Sequence, residues 1–108
     1  MTDAVARRAA LALPDAVEMD HHGRPSFRVN GRIFATLWAA GRMNVMLDVH
    51  GIMDAVDAHP NVCTEMWWGQ RLAAVQVDLA PIKPSLLKEL LSKAHARKAA
   101  GGKVRRPA

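Results

Sequence analysis

The side chains best equipped for chemistry in this chain are its arginines. Arg24, Arg28, Arg32, Arg42 and Arg71 all fall in or beside short runs of strand-forming residues, and a guanidinium offers a planar fork of donors that matches phosphate oxygens and base edges two at a time. A second cationic set, Lys93, Arg97, Lys98, Lys103, Arg105 and Arg106, lies between Ser92 and Ala108 with no acid among them. Six such charges would release counterions from a polyanion, with a salt slope of about −5 if all six met phosphates. Phe34, Trp38, Trp67 and Trp68 supply flat faces on which bases can stack or a protein partner can anchor. Each group also has a plainer use. The arginines serve equally as solvated strand and turn residues balanced by Asp20, Asp48, Asp54 and Asp78, the terminal cations as a solubilising end, and the aromatic rings as core or sheet cover.

Reaction chemistry has less to stand on. His21 and His22 are adjacent and cannot share one strand or helix face, and no Cys, Asp or Glu stands beside them at a zinc-ligand spacing. Cys63 and His59 lack a third, orienting group, and no glycine-rich phosphate loop is present. No catalytic, cofactor-binding or metal-binding residue is expected, no small-molecule substrate is inferred, and no enzyme class is supported.

The elements that must position these groups fit in one domain. The chain has 108 residues, half of them hydrophobic, and a chain of this length buries roughly two thirds of its unfolded surface. The formal charge is +5, yet residues 1–91 hold nine basic and ten acidic side chains, so the excess belongs to the end of the sequence. A domain over residues 1–95 and a flexible basic tail over residues 96–108 are expected, because a Gly-, Lys- and Arg-rich end buries too little apolar surface to order itself. The lone Cys63 excludes an internal disulfide, and the first residues do not resemble a signal peptide. The apolar runs are far shorter than the roughly 20 residues that span a bilayer, so a cytoplasmic protein without membrane contact is expected.

A first helix is predicted from Asp3, capped by Thr2 or Asp3 and ended by Pro14, followed by a connecting loop over residues 15–25. Three strands, 26–29, 32–38 and 43–47, then form an antiparallel meander around Asn30-Gly31 and Gly41. A two-residue loop at Asn30-Gly31 would mix Arg32 and Phe34 with Phe27 and Val29. An odd-length loop or bulge at residues 30–32 is therefore predicted, gathering Phe27, Val29, Ile33, Ala35 and Leu37 on the covered face and leaving Arg28, Phe34, Thr36 and Trp38 on the other. Asp48 begins a short amphipathic helix that ends before Pro60. An irregular strand over 61–68, a turn at Trp67-Trp68-Gly69, a strand over 72–79 and a leucine-striped helix from Pro84 complete the order α-β-β-β-α-β-β-α.

That order, with Gly23-Arg-Pro-Ser-Phe-Arg-Val-Asn-Gly-Arg-Ile-Phe-Ala35, the Asp48-to-Pro60 helix and Val75-Gln-Val-Asp-Leu79, resembles the MmcQ/YjbR family of small bacterial proteins over roughly residues 5–95. The resemblance implies a single α+β domain with a curved antiparallel sheet, similar in topology to secretion chaperones. It also implies the DNA-binding role with which such proteins are commonly labelled. The basic end and the adjacent Trp67-Trp68 depart from many relatives. Two functions follow as expectations. One is a non-enzymatic DNA-binding protein whose sheet arginines Arg28, Arg32, Arg42 and Arg71 contact phosphates while the tail adds affinity. The other is a protein-interaction module that uses the sheet face around Phe34 and Trp38 to hold a partner segment.

Overall fold

Two tight turns with both central residues at positive φ govern the first half of the fold. In the computed structural model, which describes residues 1–102, His22-Gly23 (φ 54° and 84°) and Asn30-Gly31 (φ 52° and 77°) each close a two-residue hairpin. That is the type I′ geometry, whose twist matches that of the flanking strands. They connect β1 (Val17–His21), β2 (Arg24–Val29) and β3 (Arg32–Ala39); β4 (Arg42–Val45) follows. After α2 (Val49–Ala58), β5 (Cys63–Trp68) and β6 (Arg71–Asp78) complete one six-stranded sheet in the order β1-β2-β3-β4-β6-β5, antiparallel throughout. Helices α1 (Asp3–Leu11) and α3 (Pro84–Gly102) bracket the chain.

The α+β domain with an antiparallel sheet and helices at both ends is as expected, with four corrections. Residues 17–21 form a strand, not a loop. The sequence Val-Glu-Met-Asp-His carries little strand propensity, and as an edge strand it is almost wholly exposed, so its pairing comes from β2. The Asn30-Gly31 loop has two residues, not an odd number, with Val29 opposite Arg32. The bulge lies one pair further in, between the Arg28–Ile33 and Phe27–Ala35 pairs, and inserts Phe34 as the extra residue. Phe27, Val29 and Ala35 still reach the core, but Phe34 joins them, fully buried and edge-on to His95 of α3 at 5.4 Å between ring centroids. Ile33 takes the other face beside Arg28.

The third correction concerns the end of the chain. Helix α3 continues to Gly102, because the Ala-, Lys- and Arg-rich stretch after Ser92 is made of strong helix formers and is tied down. Arg97 donates to the Met46 carbonyl at 3.0 Å, and Asn30 donates to that of Ala99 at 3.3 Å. Lys93, Arg97 and Lys98 are therefore helical; Lys103, Arg105 and Arg106 lie outside the described residues. Similarly, β5 runs through Trp68, and the turn falls at Gly69-Gln70.

The helices share one face of the sheet. Ala6 and Ala10 of α1, Ile52 of α2 and Leu87, Leu91 and Ala94 of α3 pack with Phe27, Met43, Val45, Val75 and Val77 in a single core. Asp48 caps α2 by accepting from the Gly51 amide at 2.7 Å. Asp3, at the start of α1, accepts from the Gly41 amide at 3.0 Å, fastening that helix to the β3–β4 turn.

Candidate nucleic-acid interface

The cations proposed from sequence divide into those already engaged by neighbours and those that converge. Arg28 donates to the Ser26 hydroxyl at 3.1 Å, within a polar row in which Ser26 faces Thr36, Thr36 faces Asn44 and Asn44 faces Gln76 across four strands. Gln76 donates to Asn44 Oδ1 at 3.1 Å. Arg42 lies 3.6 Å from Asp78, and Lys93 lies 3.1 Å from Glu89 one helical turn away. The expected patch of Arg28, Arg32 and Arg42 on the sheet does not form, because each occupies a different place and two have local partners.

Sheet direction brings the others together. Strands β3 and β6 both run antiparallel to β4 between them, so their first residues, Arg32 and Arg71, lie at the same end of the sheet. The last turns of α3 reach that end. Arg32, Arg71, Arg97 and Lys98 thereby line one hollow of about 660 Å³, walled also by Met46, Leu47, Asp48 and Val49 from the β4–α2 connection and by His21, Ile33, Trp68, Leu72 and Ala73. Among the described residues none of the four cations makes an ion pair. The one carboxylate on the wall, Asp48, is held by the Gly51 amide. Burial lowers the Lys98 pKa, and the charges of Arg97, Arg32 and Arg71 lower it further. Four cations thus face one acid across the hollow, Arg32, Arg71 and Arg97 exposed and Lys98 half-buried, an excess of positive charge that repels itself.

The aromatic candidates separate in the same way. Phe34 is core. The Trp38 ring lies under the Arg24 guanidinium, 4.0 Å from its centroid, while Arg24 also donates to the Trp38 carbonyl at 2.8 Å. Trp67 and Trp68, adjacent on a strand, take opposite faces. Trp67 donates to Glu65 at 2.9 Å, and Trp68 lines the hollow, 44% exposed, with the Arg71 guanidinium 5.3 Å from its ring centroid. Cys63 is buried, and burial followed by the charge of Asp78 raises its thiol pKa, as befits a packing residue. Sequence reasoning missed the apolar wall at residues 46–49 and the part played by His21. The only signal for the wall was the short gap between β4 and the Asp48 cap.

A family model, YjbR, matches residues 11–97. The chain belongs to the YjbR family. Arg32, Arg71 and Arg97 lie within the matched span, and Lys98 is the next residue after it. The fold of this YjbR protein is similar to the crystal structure of the Deinococcus radiodurans protein DR2400, a DUF419 domain. The TM-score is 0.79 and the identity 20%, covering 96% of this chain and 83% of that one, a likeness that bears on the fold alone. No curated protein matches. Among the described residues no helix is long and apolar enough to cross a membrane.

Proposed function

We propose that this YjbR protein is a cytoplasmic, non-enzymatic nucleic-acid-binding domain that takes up phosphates in the hollow at the end of its sheet. One observation carries the reading: Arg32, Arg71, Arg97 and Lys98 converge on a single concavity whose lone acid is committed to a helix cap. Phosphate is the anion that such a set of forked and point donors suits, and a polyanion would relieve the repulsion within it. The DNA contact anticipated on the sheet face is thereby moved to the sheet end, with Arg28 and Arg42 outside it.

The test is fluorescence anisotropy of labelled DNA across a salt series. Replacing Arg32 or Arg97 by Ala is expected to reduce the magnitude of the salt slope by about 0.7–0.9 each, one phosphate contact apiece, whereas Arg28→Ala and Arg42→Ala leave it unchanged. A chain ending at Gly102 retains the hollow and isolates the contribution of Lys103, Arg105 and Arg106; a cut at Ala94 would remove Arg97 and Lys98 with the tail. If binding disappears in the chain ending at Gly102, the hollow is not the site. Val49, Met53 and Trp67, each about half exposed, then favour a protein partner instead.

A further inference from the structure

Taking the hollow as a phosphate site, we infer that its ligand is an unpaired nucleotide, as in a single strand, with the base against Trp68 and its phosphate among the four cations. Shape is the first argument. Duplex DNA is read by protruding helices, ribbons or arms that enter its grooves, while its phosphates line convex ridges. Here the four cations converge on one concavity, Arg32, Arg71 and Arg97 exposed and Lys98 half-buried, so a nucleotide seated in it presents its phosphate to all of them together. The volume of about 660 Å³ lies within the range of roughly 300–1,000 Å³ typical of small-ligand pockets.

Composition is the second argument. A site for backbone phosphate alone has no need of an apolar wall, yet Ile33, Met46, Val49 and Leu72 line this one alongside Trp68. An unstacked base supplies the flat, weakly polar surface that such a wall excludes from water. Third, the Arg71 guanidinium lies over one face of the Trp68 ring, 5.3 Å from its centroid, so a base stacks on the other face of the indole or on the guanidinium plane itself. The lowered pKa of Lys98 accords with a group that gains from an incoming dianion or polyanion.

The experiment compares labelled single-stranded dT12, a 12-base-pair duplex, thymidine monophosphate and inorganic tripolyphosphate, each with the unchanged protein and with Trp68→Ala and Trp68→Phe. Trp68 is 44% exposed, so its loss is expected to leave the domain folded, which thermal melts check. The single strand is expected to bind at least tenfold more tightly than the duplex at equal salt. Trp68→Ala should weaken that binding roughly 5- to 150-fold, the measured range for loss of one base–aromatic stack, with an unchanged salt slope and recovery in Trp68→Phe. Thymidine monophosphate matching dT12 would support the nucleotide and assign its source to the free pool. Equal binding of strand and duplex, indifferent to Trp68 but with slopes lowered by Arg32→Ala and Arg97→Ala, would overturn the inference and leave the phosphate site standing. Binding of none of the four probes would overturn both.

Discussion

Lys98 shows how little of a residue's role lies in its type. From sequence it was one of six terminal cations; in the fold it is the one whose proton is least secure, through burial and then through Arg97, Arg32 and Arg71. Its lowered pKa means that the unfolded chain holds this proton to higher pH than the folded chain does. Stability therefore rises as pH climbs through the folded value toward the ordinary lysine range, and affinity for an anion falls over the same window as the charge is lost. Lys98→Met is expected to remove both dependences. It should weaken single-strand and tripolyphosphate binding alike, while raising Tm by roughly 1–3 °C through relief of partly screened like-charge repulsion. Anisotropy and thermal melts between pH 7 and pH 10 check this, and a Tm unchanged or lowered by Lys98→Met would show that the cluster carries no strain. Arg24, by contrast, was among the arginines singled out as chemical groups, yet it covers Trp38. Residue types were legible, but their partners, set by strand register, were not.

At the scale of elements, the hairpin at Asn30-Gly31 was visible in the sequence and its register was not. Alternation alone asked for an odd loop, because it took Phe34 for a surface residue. The chain instead keeps the favoured two-residue turn and places the irregularity where a bulge turns Phe34 inward against His95. Edge strand β1 escaped notice for a related reason: a strand exposed on nearly every residue carries no hydrophobic period to read. The elements legible in the sequence are those with a buried stripe, such as β6 and α3. Gly31, at φ 77°, now has a measurable consequence, since an L side chain in the left-handed region costs roughly 1–2 kcal/mol. Gly31→Ala is expected to lower the unfolding free energy by that amount, read as a lower urea midpoint at unchanged m. Because Arg32 follows the turn and Asn30 holds Ala99, it should also weaken tripolyphosphate binding more than Arg28→Ala does. A variant with unchanged stability would indicate that the turn is not held at positive φ.

Across the whole molecule, charge is polarised without being large. Residues 1–91 are nearly neutral, so the basic character that composition suggests arises when α3 carries Arg97 and Lys98 to the end of the sheet where Arg32 and Arg71 begin their strands. Composition could not show this, because the meeting depends on β3 and β6 running the same way and on α3 continuing past residue 95. Such a site couples to the stability of the entire domain, and Cys63 reports on that coupling. It is buried at 2% exposure, and burial and Asp78 raise its pKa, so Ellman's reagent can attack only after an opening event. Two openings compete: global unfolding, and fraying of edge strand β5, on which Cys63 is the first residue. A ligand bound to the folded state slows the reaction through global unfolding by the factor 1 + [L]/Kd, about 100-fold when [L] is 100 times Kd. Trp68 and Cys63 occupy opposite ends of β5, and fraying from the Cys63 end leaves the hollow intact and the rate unchanged. With β5 held by six register pairs to β6 and by α2, the expected result is slowing that grows as 1 + [L]/Kd. A rate that levels off while 1 + [L]/Kd still rises would place the opening at the strand edge.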